Sequence, residues 1–268
     1  MNRQPLVAGQ FYPAGPTLAT DVAAFLGLAG PMRETPTILA MVPHAGYVYS
    51  GEVAGKTLGQ ARLADTVLLL GPNHTGRGRR LAVWPDGTWE IPGGGLTVDD
   101  GLARALLDAD TRLAADPEAH QGEHSLEVVL PFLRGIHPAM RIVPMVVAEF
   151  NPTIISDVAV SMARVLKAWP VPVSIVVSSD MSHYVSHDTA KTLDALALAE
   201  ITALRPMGLF SVVRDRGITM CGVLPMILGL CLAKELGAHA AEVAAYATSG
   251  EVSGDMRHVV GYAGVLVS

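Results

Sequence analysis

The fold is decided by an apolar run that ends in a polar turn: Val173-Ser-Ile-Val-Val177, followed directly by Ser178-Ser-Asp-Met-Ser-His183. Two other apolar runs end in the same way: Thr37–Val42 before Pro43-His44-Ala-Gly-Tyr47, and Thr66–Leu70 before Gly71-Pro-Asn-His74. Short runs that are apolar throughout are typical of parallel strands with both faces covered. Ligands bind outside the carboxyl ends of such strands, so these turns predict a shared site at one edge of a sheet.

Composition and pattern together predict one large α/β domain that spans residues 1–268. Half of the 268 residues are hydrophobic and only 16% are charged, which provides enough apolar surface for an extended core. The chain shows no repeat, no low-complexity linker and no shift in composition. Strand-like and helix-like segments alternate, so we expect a mostly parallel central sheet with helices on both faces.

Charge and cysteine usage narrow the class of protein. A net charge of -6 argues against a general binder of nucleic acid or membrane surfaces. Two cysteines in a chain of this length do not form a disulfide framework, and no secretion signal or membrane-spanning segment is evident, so we expect a cytoplasmic protein. The basic run Arg77-Gly-Arg79-Arg80 is either a solvated loop or an anion-binding rim.

Local signals outside these turns predict several further elements. Leu81–Trp84 and Thr88–Ile91 flank the turn Pro85-Asp-Gly87, which predicts a β-hairpin. Thr97 is expected to cap a helix whose first turn contains Asp99 and Asp100.

His44, His74 and Cys221 are the candidate metal ligands. A single histidine after a strand is more often a structural hydrogen-bonding group, and a free cysteine is often a small core residue. Two histidines in two strand-ending turns favour a shared site over a chance arrangement. Cys221 stands at an apparent helix N-terminus, which favours the thiolate form. Two imidazoles and a thiolate fill three positions of a catalytic metal site, leave a fourth open, and suit Zn, Cu or Fe.

Asp180, His183 and His124 are the candidate catalytic residues. Asp180 either caps its turn or orients a partner, while His183, three residues later, is of the residue type that most often acts as general acid or base near neutral pH. In Glu123-His-Ser-Leu-Glu127, the polar groups either cap a helix that begins near Ser125, or place His124 over the metal, or provide Glu127 as acceptor for a ligating histidine.

Four further histidines and the second cysteine lack a comparable context. We expect them to be surface, structural or core residues: His137, His187, His239, His258 and Cys231.

Six motifs in a fixed order give the chain a specific resemblance to a known family. They are Pro43–Tyr47 with Ser50-Gly51, Leu70–His74, Glu123–Glu127 with Leu130–Leu133, Ser178–Tyr184, Cys221-Gly222, and Ser253–Asp255 with Val260–Tyr262. Together they resemble the Memo family (mediator of cell motility), whose prokaryotic members are called AmmeMemoRadiSam system protein B. The resemblance extends from about Gly9 to Ser268.

The resemblance implies a fold similar to class III (LigB-type) non-haem iron extradiol dioxygenases, a three-layer α/β/α sandwich. His44 and His74 match the family's metal-binding histidines, and Cys221 matches the cysteine that stands where the dioxygenases have a carboxylate ligand. Asp180 and His183 match a pair in the same pocket, with His183 in the place of the acid-base histidine. His124 matches a further pocket histidine.

In functional terms the resemblance implies a dioxygenase-like oxidoreductase that uses Fe(II), or else Cu or Zn. A thiolate in place of a carboxylate changes the redox potential and is itself oxidisable. Two other readings of the same pocket stay open, a peptide- or phosphopeptide-binding module and a zinc-dependent hydrolase. The resemblance also implies partnership with a radical-SAM protein and an AMMECR-type protein, in addition to a small-molecule or peptide substrate.

Overall fold

The computed structural model describes residues 1–268 and has one twelve-stranded sheet at its centre. The strands are β1 (Asn2–Arg3), β2 (Leu39–Val42), β3 (Thr66–Pro72), β4 (Leu81–Val83), β5 (Thr88–Ile91), β6 (Gly94–Val98), β7 (Ala114–Ala115), β8 (Arg141–Val147), β9 (Val173–Ser178), β10 (His183–Val185), β11 (Ala241–Thr248) and β12 (Val259–Val267). Their main order is β1-β5-β6-β8-β3-β9-β2-β12-β10, while β11 pairs with β12, β4 with β8, and β7 with β4.

The middle of the sheet is parallel. Strand β3 pairs with β8 on one side and β9 on the other, and β9 then pairs with β2, all in parallel register. Every residue of β2 and β3 is buried. Such complete burial explains why these strands are apolar throughout rather than alternating. The prediction of buried parallel strands from these runs is confirmed.

Nine α-helices connect and cover the strands. They are α1 (Thr17–Leu26), α2 (Tyr47–Gln60), α3 (Asp100–Ala109), α4 (Leu130–Ile136), α5 (Pro152–Ala168), α6 (His187–Thr202), α7 (Pro206–Arg216), α8 (Val223–Glu235) and α9 (Gly250–Ser253). Short 3₁₀ turns lie at Pro117–His120 and Glu127–Val129.

The helices form a layer on each face of the sheet. Helices α1, α2 and α4 pack against one another, and α2 contacts β2 and β12. Helix α8 contacts β2, β3 and β9, and α5 and α7 pack against α8. The architecture is therefore a three-layer α/β/α sandwich with a mixed, mostly parallel sheet, as predicted. None of the helices is both long enough and apolar enough to cross a membrane.

Two local predictions were wrong. Strands β4 and β5 do not form a hairpin, because β4 pairs with β8 and β7 while β5 pairs with β6. The hairpin lies one strand later, between β5 and β6, where Gly93 in the connecting turn has a positive φ of 86°. Thr97 belongs to β6 and caps nothing; the cap of α3 is Asp99, whose side chain accepts from the Leu102 amide at 3.0 Å.

Candidate metal centre

The carboxyl ends of β2, β3 and β9 open into one cavity of about 510 Å³. Three turns deliver His44, His74 and Asp180 to this cavity, and the segment just before α8 adds Cys221 from the neighbouring layer. The other lining residues are Phe11, Ala45, Gly46, His124, His183, Tyr184, Thr219, Val260 and Tyr262. Residues that are far apart in the sequence thus converge at the edge where parallel sheets place their ligands.

His44 is buried, and its hydrogen bonds determine which ring nitrogen faces the cavity. Its Nδ1 lies 2.7 Å from the Ser178 hydroxyl, and that hydroxyl donates its own proton to the Ser125 carbonyl at 2.7 Å. The Ser178 oxygen must therefore accept from His44, which places the ring proton on Nδ1. The lone pair of Nε2 then points toward Cys221, whose Sγ is 3.4 Å away.

His74 is held in the same manner by a carboxylate. Its Nδ1 lies 3.0 Å from Oε1 of the buried Glu123, and its backbone amide donates to the same side chain. Glu123 also accepts from the amides of His124 and Ser125 at 2.9 and 2.8 Å. A histidine whose Nδ1 is bound to a carboxylate presents Nε2 as its free ligand atom, which is the usual arrangement behind metal-binding histidines.

Cys221 is fixed by the turn after β9. Its Sγ accepts from the Asp180 amide at 3.2 Å, and the amide of Gly222 donates to the Ser179 hydroxyl at 3.0 Å. A Cβ on Gly222 would stand 2.3 Å from Ser179 Cβ, so only glycine permits this approach. The close contact brings the first turn of α8 and the thiol against the end of β9.

Burial dominates the electrostatics of these groups. It lowers the pKa of His44 well below the ordinary value, and it raises the pKa values of Cys221 and Asp180. For His74, burial acts to lower the pKa, but the hydrogen bond and charge of Glu123 outweigh it and raise the value. Because a thiol must lose its proton to bind a metal, metal binding at this site would be accompanied by proton release.

The three donors fit a soft or borderline metal ion. One ligand atom from each of His44, His74 and Cys221 lies within 4.8 Å of the others. Two metal–ligand bonds to nitrogen and sulfur span about 4.4 Å at most, so small side-chain adjustments suffice to bring all three to one ion. His74, Glu123 and His124 also meet this spacing, but Glu123 is already occupied by the hydrogen bonds described above.

His183, Asp180 and His124 lie around the same cavity. His183 is fixed by Thr219, which accepts from the His183 amide through Oγ1 at 2.7 Å and lies 2.9 Å from Nδ1 through its carbonyl. A carbonyl only accepts, so Nδ1 carries the proton and Nε2 is free to act as a base. The Asp180 carboxylate accepts from the His44 amide at 2.8 Å. The His124 ring stacks on His74 at a centroid distance of 5.0 Å.

Two of the alternatives that the sequence left open are excluded around the site, and residues 77–80 are exposed, as the solvated-loop interpretation expects. Glu127 is not the acceptor for a ligating histidine; that partner is Glu123. The basic run does not form a rim of this cavity either. Arg79 and Arg80 line a different cavity together with Arg112, and Arg77 lines neither.

Glu127 instead holds the segment Arg3–Tyr12, which we call the strap. The carboxylate is fully buried and accepts from the amides of Leu6 and Val7, the Tyr12 hydroxyl and the Arg3 guanidinium at 2.6–2.9 Å. The strap in turn supplies Phe11, whose ring lies 4.7 Å from that of His124. The strap thus contributes a wall of the cavity through Phe11.

Sequence reasoning did not identify several of these supporting residues. Ser178 and Glu123 both belonged to recognised motifs, but neither spacing indicated which histidine the residue would contact. Thr219 and Phe11 carry no sequence signal of their own. Their roles follow only from long-range contacts.

Comparisons with known proteins agree with this architecture. The model of the family described as "Memo-like protein" matches residues 3–266. A MEMO1 family protein of Methanopyrus kandleri is 38% identical over 280 residues, covering 99% of each chain. A MEMO1 family protein of Ignicoccus hospitalis is 38% identical over 284 residues, covering 98% of this chain and 97% of the relative.

Among solved structures, the crystal structure of an uncharacterized protein from Escherichia coli K12 is similar, with a TM-score of 0.60. The likeness covers 86% of this chain and 99% of that one at 13% sequence identity. At such an identity the similarity is evidence about the fold alone.

Proposed function

This chain belongs to the Memo family, and from that premise we propose that it is a metal-dependent oxidoreductase whose metal is bound by His44, His74 and Cys221. The observation that carries the proposal is the orientation of the two imidazoles. Ser178 and Glu123 occupy both Nδ1 atoms and leave both Nε2 atoms free. The His44 Nε2 lies 3.4 Å from the Cys221 Sγ, and a ligand nitrogen of His74 lies within 4.8 Å of that sulfur.

The donor set favours Fe(II) first, with Cu or Zn as the other candidates. Thiolate and imidazole disfavour Mg²⁺ and Ca²⁺, which prefer oxygen ligands. Bound iron or copper would supply one-electron and oxygen chemistry, for which three protein ligands leave coordination positions open.

The protein's own groups would bind and orient the substrate and move its proton. His183 is the proposed acid-base group, since Thr219 accepts from its Nδ1 and leaves Nε2 free at the cavity. His124 and Asp180 are proposed to position the substrate from two sides of the cavity.

The binding-module alternative has less support than the sequence suggested. Its charge argument depended on a rim of Arg77, Arg79 and Arg80, yet Arg79 and Arg80 line another cavity, and Arg80 pairs with Glu149. If the pocket only recognised a peptide, binding would survive His44→Ala.

The zinc hydrolase is favoured by the open fourth position of a two-histidine, one-cysteine set, and the identity of the bound metal separates it from the oxidoreductase.

Family membership also supports a proposal about context. We propose that the chain acts in the cytoplasm beside a radical-SAM protein and an AMMECR-type protein. Co-purification of these two proteins with the tagged chain tests the partnership.

Oxygen uptake tests the oxidoreductase proposal. Fe(II)-loaded protein is mixed with a panel of phenolic and peptide substrates in an oxygen electrode, beside His183→Gln loaded to the same iron content. We expect substrate-dependent uptake by the wild type and a loss of about 100-fold in the variant, the scale of a general acid-base contribution. Metal-loaded protein that is inert toward oxygen with every substrate would contradict the proposal.

A further inference from the structure

A second cavity of about 430 Å³ lies beside the metal cavity and shares the Phe11 side chain with it. The strap forms one wall, and α1 and the start of α2 form the others. Its aromatic lining consists of Phe11, Tyr12, Phe25 and Tyr47. Neither the family resemblance nor the metal site assigns a role to this cavity.

The walls of this cavity offer apolar surface. The Tyr12 hydroxyl is directed to Glu127 at 2.8 Å, and the Tyr47 hydroxyl donates to the Val128 carbonyl at 2.8 Å. Both phenol groups are therefore occupied elsewhere, and what remains for a ligand is ring surface. The Phe25 ring meets Tyr47 edge-on at 6.0 Å, which gives the floor a fixed aromatic shape.

Phe11 is the partition between the two cavities, and it is anchored by its backbone. Its carbonyl accepts from the Tyr47 amide at 2.8 Å, directly after the turn that contains His44. Its ring lies 4.7 Å from His124 on the metal side. A molecule that touches Phe11 on both sides would therefore place one end among the histidines and the other among the aromatic rings.

We propose that this aromatic cavity binds the apolar group of an amphipathic small molecule whose polar end occupies the metal cavity. The volume lies within the range of about 300–1,000 Å³ found for small-molecule sites. Asp21 is the one charged lining residue, so an anionic head group is disfavoured here and the polar end belongs on the metal side. Only this placement of the polar end rests on the proposed function.

Fluorescence titration with the neutral apolar dye Nile red tests the apolar site on the full, metal-free chain. Ala24 lines the cavity, whereas Ala23 is an exposed neighbour on the same helix that does not. We expect Ala24→Trp to fill the cavity and raise the dye Kd by at least about tenfold, with Ala23→Trp close to wild type. Equal dye binding by all three proteins would overturn the proposal.

A second arm tests the link between the cavities on Co(II)-loaded protein. N-octylimidazole should bind at least about tenfold more tightly than N-methylimidazole, and Ala24→Trp should abolish the difference while Ala23→Trp keeps it. If the chain cannot be loaded with Co(II), the metal proposal fails while the dye result still stands; if the loaded protein binds neither imidazole, the link between the cavities fails. Equal affinity of the two imidazoles for the wild type would overturn the link.

A second copy of the chain is the competing occupant. Sedimentation at several concentrations detects it, and a dimer that Ala24→Trp dissociates would overturn the small-molecule proposal in favour of a self-association surface. A mass that is independent of concentration supports a small-molecule ligand.

Discussion

The buried Glu123 carboxylate accepts hydrogen bonds from four donors: the His74 ring and the backbone amides of His74, His124 and Ser125. The ring of His74 itself is partly exposed at the mouth of the cavity, so packing alone does not fix it. Its orientation therefore depends on this carboxylate, which also makes the imidazole a better electron donor.

Replacing Glu123 should weaken metal binding without removing a ligand. We expect Glu123→Gln to raise the Kd for Co(II) or Zn(II) by about 10- to 100-fold, the usual cost of losing such a partner. Calorimetric titration measures it, and Glu118→Gln, an exposed glutamate in the same segment, is the matched control. Unchanged affinity in Glu123→Gln would show that His74 does not rely on this contact, or does not bind the metal.

His120 makes stability depend on pH. It is fully buried between Trp84 and Trp89, and burial lowers its pKa to about 4, against 6.5 for an ordinary histidine. Between these two values the unfolded chain binds a proton that the folded chain does not. The free energy of unfolding therefore rises with pH across this window. As the pH falls from 6.5 to 4, the folded protein loses about 3 kcal/mol of this free energy.

Urea unfolding at several pH values checks this effect. His120→Gln keeps a donor for the Ala82 carbonyl, which His120 Nε2 contacts at 3.2 Å, but it does not titrate. We expect the variant to lose less stability than the wild type between pH 6.5 and 4, while His258→Gln at an exposed position follows the wild type. Parallel curves for His120→Gln and wild type would rule out His120 as the source.

At the scale of elements, the first turn of α8 controls where the thiol lies. Gly222 allows α8 to approach the end of β9, and a side chain at this position would meet Ser179. We expect Gly222→Ala to push the helix away, destabilise the fold by about 1–3 kcal/mol and weaken metal binding. Thermal unfolding and Co(II) titration measure the two effects.

Gly15→Ala is the control for this substitution, because no atom lies within 4 Å of the added Cβ at that position. If Gly222→Ala bound metal as tightly as the control, the approach of α8 to β9 would not determine the position of the ligand.

The strap depends on the buried Arg3–Glu127 pair. Arg3 also donates to the Glu123 carbonyl at 2.6 Å and stacks over Trp89 at 4.3 Å, so the pair connects the strap to the segment that holds His74. We expect Glu127→Gln to lower the free energy of unfolding by about 3 kcal/mol, because it leaves the arginine buried without its countercharge. Glu52→Gln, which removes an exposed pair with Lys56, should change little. A small effect of Glu127→Gln in urea unfolding would mean that the strap is held by its apolar contacts.

For the whole molecule, the sequence predicted the parts that depend on local pattern. The apolar runs Thr37–Val42, Thr66–Leu70 and Val173–Val177 indicated the buried parallel strands, and these strands determine the edge at which His44, His74 and Asp180 meet. The sheet topology then makes the meeting of these turns a geometric consequence.

What the sequence could not provide are the contacts between distant segments. The choice of Glu123 over Glu127 as the partner of His74 depends on where the strap folds back, since the strap occupies Glu127. The hairpin was misplaced because pairing of β4 with the long strand β8 outcompeted a locally favourable turn. Pairing partners across tens of residues leave no local signature.

Metal content after anaerobic purification is the measurement that tests the central claim most directly, with wild type beside Cys221→Ser. Inductively coupled plasma mass spectrometry should find close to one iron or copper ion per chain in the wild type. The metal content of the variant should be markedly lower, because serine does not supply a thiolate donor. No stoichiometric metal in either protein, even after reconstitution with Fe(II), Cu(I) and Zn(II), would contradict the claim that His44, His74 and Cys221 form a metal centre.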